Sequence, residues 1–341
     1  MIRTRSAERC FLCGSQGDPL YHKLKDCLFG VSGEWDVRKC RADACGLLWI
    51  DPLPVEEDIL LAYRNYYTHD FAPPNKRLSL KRRLSALLDT GYLSLKYGYG
   101  DHISLWTKLA GAYRLLQPLR KAGLDFGVSY LRAQKGGRLL EVGCGAGDTL
   151  KILQDFGWSA EGVDFDPQVV AAAREKGLQV RQGTLTEQNY PDEHFDAIAM
   201  SHLLEHVHDP LALLGKCRRL LKRGGCLVAV TPNVASLGHR FYGSAWRSLD
   251  LPRHLHLFTL RAAVTLVERA GFAKHRFFTT VRDANNVFLG SRDIARTGRY
   301  IWGSPHPTLT KRVAKIMAGV EWVCLSLSPS AGEELVLILE K

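Results

Sequence analysis

The feature that most limits what this chain can fold into is the regular alternation of short apolar and amphipathic segments that begins at Arg138. Arg138–Val142 reads as a strand, Thr149–Phe156 as an amphipathic helix, Ala160–Val163 as a second strand and Gln168–Lys176 as a second helix. Leu178–Val180, Phe195–Met200 and Cys226–Thr231 continue as strands, with a helix from Pro210 to Leu221. Strands alternating with helices at this spacing predict an α/β fold with a Rossmann-like, doubly wound parallel sheet. After an interruption between Pro232 and Phe258, a helix (Leu260–Ala270) and strands at His275–Thr279 and Glu334–Leu339 bring the sheet to seven strands. Residues 286–330 are expected to form a helical, basic insert.

Gly143-Cys144-Gly145-Ala146-Gly147 falls between the first strand and first helix of this unit. A chain that turns sharply there and lets a ligand approach its backbone needs residues without Cβ atoms. The G-x-G-x-x-G spacing of dinucleotide-binding folds is not met, because position 148 is Asp148. Asp164 follows the second strand, where a carboxylate can accept both hydroxyls of an adenosyl ribose. Asp166 precedes Pro167 and is the better helix cap, which leaves Asp164 for a ligand.

These stretches resemble the class I S-adenosylmethionine (SAM)-dependent methyltransferases. Leu139–Gly147 is similar to their first motif and Gly162–Pro167 to their second. His194–Ile198 with Ser201–Pro210 resembles the fourth-strand region of the ubiquinone-methyltransferase-like branch, and Leu220–Leu227 the turn into the fifth strand. The resemblance covers about Arg138 to Phe272. It implies that Glu141, Gly143, Cys144, Gly145 and Gly147 hold the methionine part of SAM, that Asp164 and Phe165 meet the ribose, and that Thr184 and Leu185 lie beside the adenine. Ser201 and His202 are expected at the same cofactor. Many relatives carry Asp in the adenine loop, whereas this chain has Gly183-Thr184-Leu185.

Cys10-x2-Cys13 and Cys40-x4-Cys45 are two close pairs separated by 26 residues. Two tight knuckles can supply the four soft ligands of a tetrahedral zinc ion. Gly14 and Gly46 follow the pairs and fit turns that expose amides to thiolate sulfurs. Unrelated core cysteines are the alternative, and Cys27 is the spare. Cys45–Pro54 resembles the zinc-module exit of methyltransferases in sugar and glycan pathways. The expected division is a zinc-ribbon-like module over 1–54, a helical basic region over 55–135, and a SAM-binding domain over 136–341.

The acceptor is expected to meet residues after strands four and five. His202, Glu205 and His206 have i, i+3, i+4 spacing, expected to put them on one helix face. Similar quinone methyltransferases use acidic residues near here with a divalent ion; the alternative is that Glu205 and His206 brace the pocket. The loop 233–258 carries His239, Arg240, Trp246, Asp250, Arg253, His254 and His256. Pro252–Thr259 resembles a stretch common in this branch. A histidine suits removal of the acceptor's proton near neutral pH, so His254 is the expected base or orienting residue and His206 the second choice.

Twelve Lys/Arg against three Asp between Ala72 and Gly137 give that stretch a charge of +9. Such a surplus points to an anionic partner, whether nucleic acid, a phosphorylated or lipid-linked acceptor or a membrane surface, or else is a solvated face. No apolar run approaches the roughly 20 residues of a membrane span. The N-terminal MIRTRSAERC lacks a signal-peptide core, so the cytoplasm is expected. The leading reading is methyl transfer to an oxygen or carbon of a small-molecule, sugar or lipid-linked glycan acceptor. The alternative is an RNA methyltransferase using the zinc module to recognise RNA, against which stand Ser201-His202-Leu203-Leu204 in place of an Asn-Pro-Pro-Tyr-like turn and the lack of interleaved basic and aromatic residues.

Overall fold

The computed structural model describes residues 2–63, 80–100 and 102–341. The sequence predicts a short helix from Glu56 to Tyr67 and a linker at Ala72–Asn75; the end of that helix, the linker and the cations Lys76 and Arg77 lie outside the described residues. Along the chain come β1 (Thr4–Arg5), β2 (Gly17–Leu24), β3 (Trp35–Cys40), β4 (Leu48–Asp51) and β5 (Leu53–Pro54), then a 3-10 segment over Glu56–Tyr63. Helices α1 (Leu80–Tyr97), α2 (Leu105–Gly111) and α3 (Pro118–Gly127) follow. The alternating part runs β6 (Arg138–Val142), α4 (Asp148–Asp155), β7 (Ser159–Asp164), α5 (Pro167–Glu175), β8 (Val180–Gln182), β9 (Phe195–Ser201), α6 (Pro210–Leu220) and β10 (Leu221–Pro232). It continues with α7 (Leu237–Tyr242), β11 (His256–Leu257), α8 (Leu260–Arg269), β12 (Lys274–Thr280), α9 (Ala284–Thr297), α10 (Thr308–Leu327) and β13 (Glu334–Glu340). Among the described residues no helix is long and apolar enough to cross a membrane.

The seven-stranded mixed sheet has the order β12-β13-β10-β9-β6-β7-β8. β6 pairs parallel with β7 and with β9, and β7 parallel with β8. Strand order therefore reverses beside β6, the place where open α/β sheets bind ligands beyond the carboxyl ends of the strands. Leu139, Leu140 and Val142 are all buried, as expected of a central parallel strand covered on both faces. Glu141 is buried in the same strand, a position that ordinary packing does not favour for a carboxyl group.

The chain divides into two compact units: residues 1–67, 201–218 and 229–339 form one, and residues 68–200, 219–228 and 340–341 the other. The first holds a four-stranded sheet of order β11-β4-β3-β2. Trp49 stands opposite His256 and Leu48 opposite Leu257 across the β4–β11 pair. Its core gathers Trp35, Val37, Leu48 and Ile50 with Trp246, Leu255 and Leu257. Residues close to the cysteine pairs thus share an interior with the 233–258 loop. In the second unit, Ser104 caps α2 by accepting from the Thr107 amide, and Asp166 caps α5 by accepting from the Gln168 amide at 2.8 Å. The insert expected over 286–330 is formed by α9 and α10.

One expectation needs correction. His202, Glu205 and His206 are not on a helix: the chain from Ser201 to Asp209 runs through turns, and α6 starts only at Pro210. His202 has a left-handed φ of 52°. Pro210 cannot supply the amide that a helix running through it needs, so the helical ladder begins there.

Candidate functional site

The glycine turn between β6 and α4 has positive φ at Gly143 (71°), Gly145 (52°) and Gly147 (78°). A Cβ on Gly147 would lie 2.3 Å from Leu178 Cδ1, so that glycine is required by packing. At Gly145 a Cβ would meet nothing within 4 Å. That α-carbon faces open space, as a backbone cradle for a ligand must. The Gly145 amide donates to Asp164 Oδ2 at 2.8 Å, and the Asp166 amide to Asp164 Oδ1 at 3.0 Å. Each carboxylate oxygen has a further lone pair, so Asp164 can still accept a pair of hydroxyls. Burial pushes its pKa above the usual range.

Glu141 is the odd group of this unit. Its Oε2 is buried and has no hydrogen-bond partner, and burial, with the charge of Asp164 adding, pushes its pKa up to about 8. A buried carboxyl oxygen without a partner, on a strand that leads into an open backbone turn, is the pattern of a site shaped for a polar, cationic ligand. A carboxyl with a folded pKa of about 8 stays protonated while its unfolded counterpart ionises near 4.5. Its contribution to stability is present below that value and is lost as pH rises through about 8. Unfolding of the unliganded chain from pH 5 to 9 should therefore show a fall in stability that the Glu141→Gln variant lacks. Parallel pH profiles for the two proteins would count against this picture.

The other residues expected at the cofactor are placed as follows. The Cys144 side chain turns inward, because a Cβ on Gly162 would come within 2.5 Å of its sulfur; only its backbone lines the turn. Phe165 is half-buried and Leu185 buried, while Thr184 is exposed. Thr184 and Glu187 form a capping box, with the Thr184 amide donating to Glu187 Oε2 at 2.7 Å. Ser201 and His202 belong to the first unit.

In that first unit, Glu205 is fully buried and is the hub of a polar cluster. Thr231 Oγ1 donates to its Oε2 at 2.8 Å, and His202 Nδ1 lies 3.2 Å from its Oε1. The Glu205 carbonyl accepts from the Leu255 and His256 amides at 2.8 and 3.2 Å, which fixes the segment bearing His254. Burial would raise the Glu205 pKa, but the hydrogen bond and charge of His202, with the other imidazoles, hold it down at about 2. His202 in turn contacts Glu334 Oε1 at 3.0 Å and Arg282 at 2.8 Å. Burial opposes its charge, yet Glu205 and Glu334 raise its pKa to about 9.

His254 Nδ1 lies 2.8 Å from the Ser248 carbonyl. A carbonyl can only accept, so Nδ1 carries the proton in the neutral ring and Nε2 keeps its lone pair. Nε2 is 3.7 Å from Asp250 Oδ2 and 3.9 Å from Glu205 Oε1. His206 packs edge-on against His254 with ring centroids 4.6 Å apart. Its Nδ1 lies 2.8 Å from the Tyr63 hydroxyl and 3.1 Å from the Arg253 carbonyl. Burial and the neighbouring His254 lower its pKa to about 4, so His206 is a neutral ring at pH 7. Glu205, His206 and His254 offer ligand atoms within 4.8 Å of one another. The structure thus brings His206 and His254 together with Glu205.

Sequence reasoning missed the clamp that holds this loop. Arg253 is fully buried and its guanidinium reaches both oxygens of Asp26 at 2.9 Å, Asp250 Oδ1 at 2.6 Å and the Ala62 carbonyl at 3.1 Å. Asp26 also accepts from the amides of Leu28, Phe29 and Val31. Asp250 has a left-handed φ of 39°. An Asp in the stretch between the two cysteine pairs carries no periodic signal, and nothing local links it to a residue 227 positions away.

The four cysteines meet. Cys10 Sγ is 3.7 Å from Cys45 Sγ and Cys13 Sγ 3.3 Å from Cys40 Sγ, and all four sulfurs lie within 4.8 Å of one another. A tetrahedron of sulfurs about 2.3 Å from zinc has edges of about 3.8 Å, whereas a disulfide needs about 2.05 Å. Gly14 and Gly46 turn the chain with φ of 75° and 66°, but their own amides donate to the Cys10 and Ala42 carbonyls. The amides aimed at sulfur belong to Leu12, Ser15, Ala42 and Leu47, with that of Cys13 also on Cys10. The two glycines make the turns expected of them, and an amide two residues beyond each cysteine is aimed at its sulfur.

Several known proteins are similar to this chain. A family described as "Methyltransferase domain" matches residues 113–276. The chain is 31% identical over 189 residues to a ubiquinone biosynthesis O-methyltransferase of Xylella fastidiosa (strain M23), covering 52% of this chain and 74% of that one. It is 32% identical over 160 residues to the corresponding protein of Xanthomonas campestris pv. campestris (strain B100), covering 44% and 66%. Among solved structures, an S-adenosylmethionine dependent methyltransferase from Mesorhizobium loti is similar, at 18% identity and a TM-score of 0.46, over 64% of this chain and 98% of that one. The chain belongs to the class I SAM-dependent methyltransferases, in the family that includes the ubiquinone biosynthesis O-methyltransferases.

Proposed function

We propose that this enzyme methylates an oxygen or carbon of a small-molecule, sugar or lipid-linked glycan acceptor, with oxygen favoured by the names of its relatives. The observation that carries the assignment of the cofactor site is the buried, unpartnered Oε2 of Glu141, on the strand that leads into the open backbone at Gly145. Glu141 and the turn Gly143–Gly147 would hold the amino-acid end of SAM, Asp164 and Phe165 the ribose, and Thr184 and Leu185 the adenine edge. Ser201 and His202 complete the proposed set. Bound there, SAM supplies a methyl group on a sulfonium, open to in-line displacement.

His254 is the proposed base. Its Nδ1–H donates to the Ser248 carbonyl, which orients the ring and leaves Nε2 to take the hydroxyl proton of the acceptor as its oxygen attacks. The Glu205 and Asp250 carboxylates, 3.9 and 3.7 Å from that nitrogen, favour the imidazolium that forms. His206 packs against the ring and limits its motion. The four cysteines are proposed to bind a structural zinc, since four thiolates leave no open position for water. Reduced thiols of this kind fit the cytoplasm.

The experiment is incubation of enzyme and methyl-labelled SAM with cell extract, with and without ribonuclease, followed by mass spectrometry. Label in a ribonuclease-resistant small-molecule or lipid-linked fraction supports the reading, and label confined to nucleotides overturns it. With the acceptor so identified, His254→Ala should lower kcat by roughly 10²–10⁴-fold while leaving SAM affinity unchanged. An unaltered kcat would remove His254 from the chemistry.

A further inference from the structure

Within the first unit lies a cavity of about 320 Å³, its mouth included. Its lining comes from three segments that are far apart in sequence. Residues 24–28 follow β2, in the stretch between the two cysteine pairs; residues 244–251 belong to the loop that carries His254; Ile294 belongs to α9. The volume falls at the lower end of the range for small-ligand sites, roughly 300–1,000 Å³. Leu28, Trp246, Leu251 and Ile294 make apolar walls, and Lys25, Ser244, Arg247 and Asp250 are the polar groups among them. Apolar walls with a few convergent polar groups are what a small-molecule site needs.

The cations of the lining are Lys25 and Arg247, and its one acid is Asp250, which the Arg253 guanidinium already engages at 2.6 Å. Lys25 lies 3.5 Å from Glu34, but both are exposed, and such a pair holds a lysine only weakly. Arg247 is set firmly in place. Asp283 accepts from its Nη2 at 2.7 Å, and the ring centroids of Tyr300 and Trp302 lie 5.9 and 5.6 Å from its guanidinium carbon. Its backbone amide donates to the buried Ser291 hydroxyl at 2.9 Å. Glycine is a poor helix former, yet Gly290 stands inside α9, where a Cβ would come within 2.5 Å of Arg247 Cδ. That glycine makes room for the arginine stem. The Tyr300 amide donates to the Cys27 carbonyl at 2.8 Å, so the segment flanking Arg247 is tied to the wall that bears Lys25. A guanidinium held in one orientation loses little freedom on meeting an anion, and its fork matches a carboxylate or a phosphate.

We propose that this cavity receives the methyl acceptor, and that the acceptor carries an anionic group, a phosphate or a carboxylate, met by Arg247 and Lys25. The inference rests on the proposed role of His254, because Asp250 joins the two places. Asp250 lines the cavity, and its Oδ2 lies 3.7 Å from His254 Nε2. The apolar body of the acceptor lies against Trp246 and Leu251 while its charged group meets the two cations. The stretch between the cysteine pairs then selects the acceptor through Lys25 as well as supporting the fold through Asp26.

The test titrates the full chain with phenyl phosphate, benzoate and the uncharged benzyl alcohol at constant ionic strength, followed by calorimetry, with SAM binding measured separately. At least one of the two anions should bind about tenfold or more tightly than benzyl alcohol, and the tighter of them names the group. Arg247→Leu should weaken that binding by about tenfold or more, and Arg247→Lys should recover part of it because the charge is kept. Lys25→Gln should weaken it by about two- to fivefold; Lys25 is exposed, so this variant folds whatever becomes of Arg247→Leu. Equal binding of the three probes, no binding of any, or wild-type affinity in both Lys25→Gln and Arg247→Leu overturns the proposal. Failure of the methyltransfer reading looks different: SAM itself would not bind, or its label would reach no acceptor in the extract. With the acceptor in hand, Lys25→Gln should raise KM and leave kcat unchanged. A fall in kcat with KM unchanged would remove Lys25 from acceptor binding.

Discussion

Stripping the proposed zinc from the four-cysteine cluster, or replacing Cys10 with Ser, is expected to stop methyl transfer while leaving SAM binding in place. The reason lies in what the cluster holds. Structural zinc in small modules contributes about 10–16 kcal/mol of apparent binding free energy that is also folding free energy. Here that energy is not confined to the knuckles. β4 begins three residues after Cys45 and pairs with β11, which begins two residues after His254. The Ile50 amide donates to the Leu255 carbonyl at 3.2 Å, and Thr259 Oγ1 donates to the Cys45 carbonyl at 3.1 Å. Loss of the module thus removes one wall of the segment that carries His254. The glycine turn, Glu141 and Asp164 lie in the other unit and keep their own packing. We expect a thermal midpoint lower by roughly 10 °C or more, on a scale of about 2–4 °C per kcal/mol for a body this size. Titration calorimetry should still show SAM binding. Metal analysis is the control. Undiminished turnover by a chain shown to hold no metal would make the cluster incidental.

Arg253→Met is expected to destabilise the protein by about 3–5 kcal/mol, because it leaves two buried carboxylates without their cation. Asp26 and Asp250 both contact the Arg253 guanidinium, whose side chain is fully buried. Methionine fills much of the volume but carries no charge, so the loss is electrostatic rather than a cavity. Its signature is a dependence on pH. In the wild type, burial would raise the Asp250 pKa, but the charge of Arg253 holds it below the usual range. Without Arg253, burial acts on Asp250 without the charge that most strongly opposes it, and the folded pKa of that carboxyl rises. Protonation then relieves the variant, so its deficit against wild type should shrink on going from pH 8 to pH 5. Urea unfolding at the two values decides it. A deficit below about 1 kcal/mol, or one independent of pH, would mean that the triad does not clamp the loop.

Much of the α/β part was legible because it is written in local chemistry. Leu139-Leu140-Glu141-Val142 followed by three glycines is a buried strand ending in a turn that side chains cannot make, and β6 with the turn at Gly143–Gly147 falls there. Asp166 before Pro167 reads as a cap, and it accepts from the Gln168 amide. The cysteine spacing announces a cluster, and four sulfurs meet within 4.8 Å. The arrangement around Glu205 was not legible in the same way. His202, Glu205 and His206 have helical spacing, but Pro210 and the left-handed His202 place them in turns. Their contacts come from afar: Tyr63, Thr231, His254 and Glu334.

What the sequence determined by itself is therefore what short-range physics encodes. It includes the strands and helices, the glycine turn and its neighbouring carboxylates, and the existence of two cysteine knuckles. Backbone sterics, capping and burial periodicity act over a few residues, and a single chain displays them directly. What only the tertiary structure decided is which distant residues share a low-dielectric interior. Arg253 with Asp26, His202 with Glu334, and β11 with β4 are joined across 227, 132 and about 200 positions. A buried charge must find an opposite charge wherever the fold delivers one, because burial without it costs several kcal/mol, and no local pattern states where that partner lies along the chain.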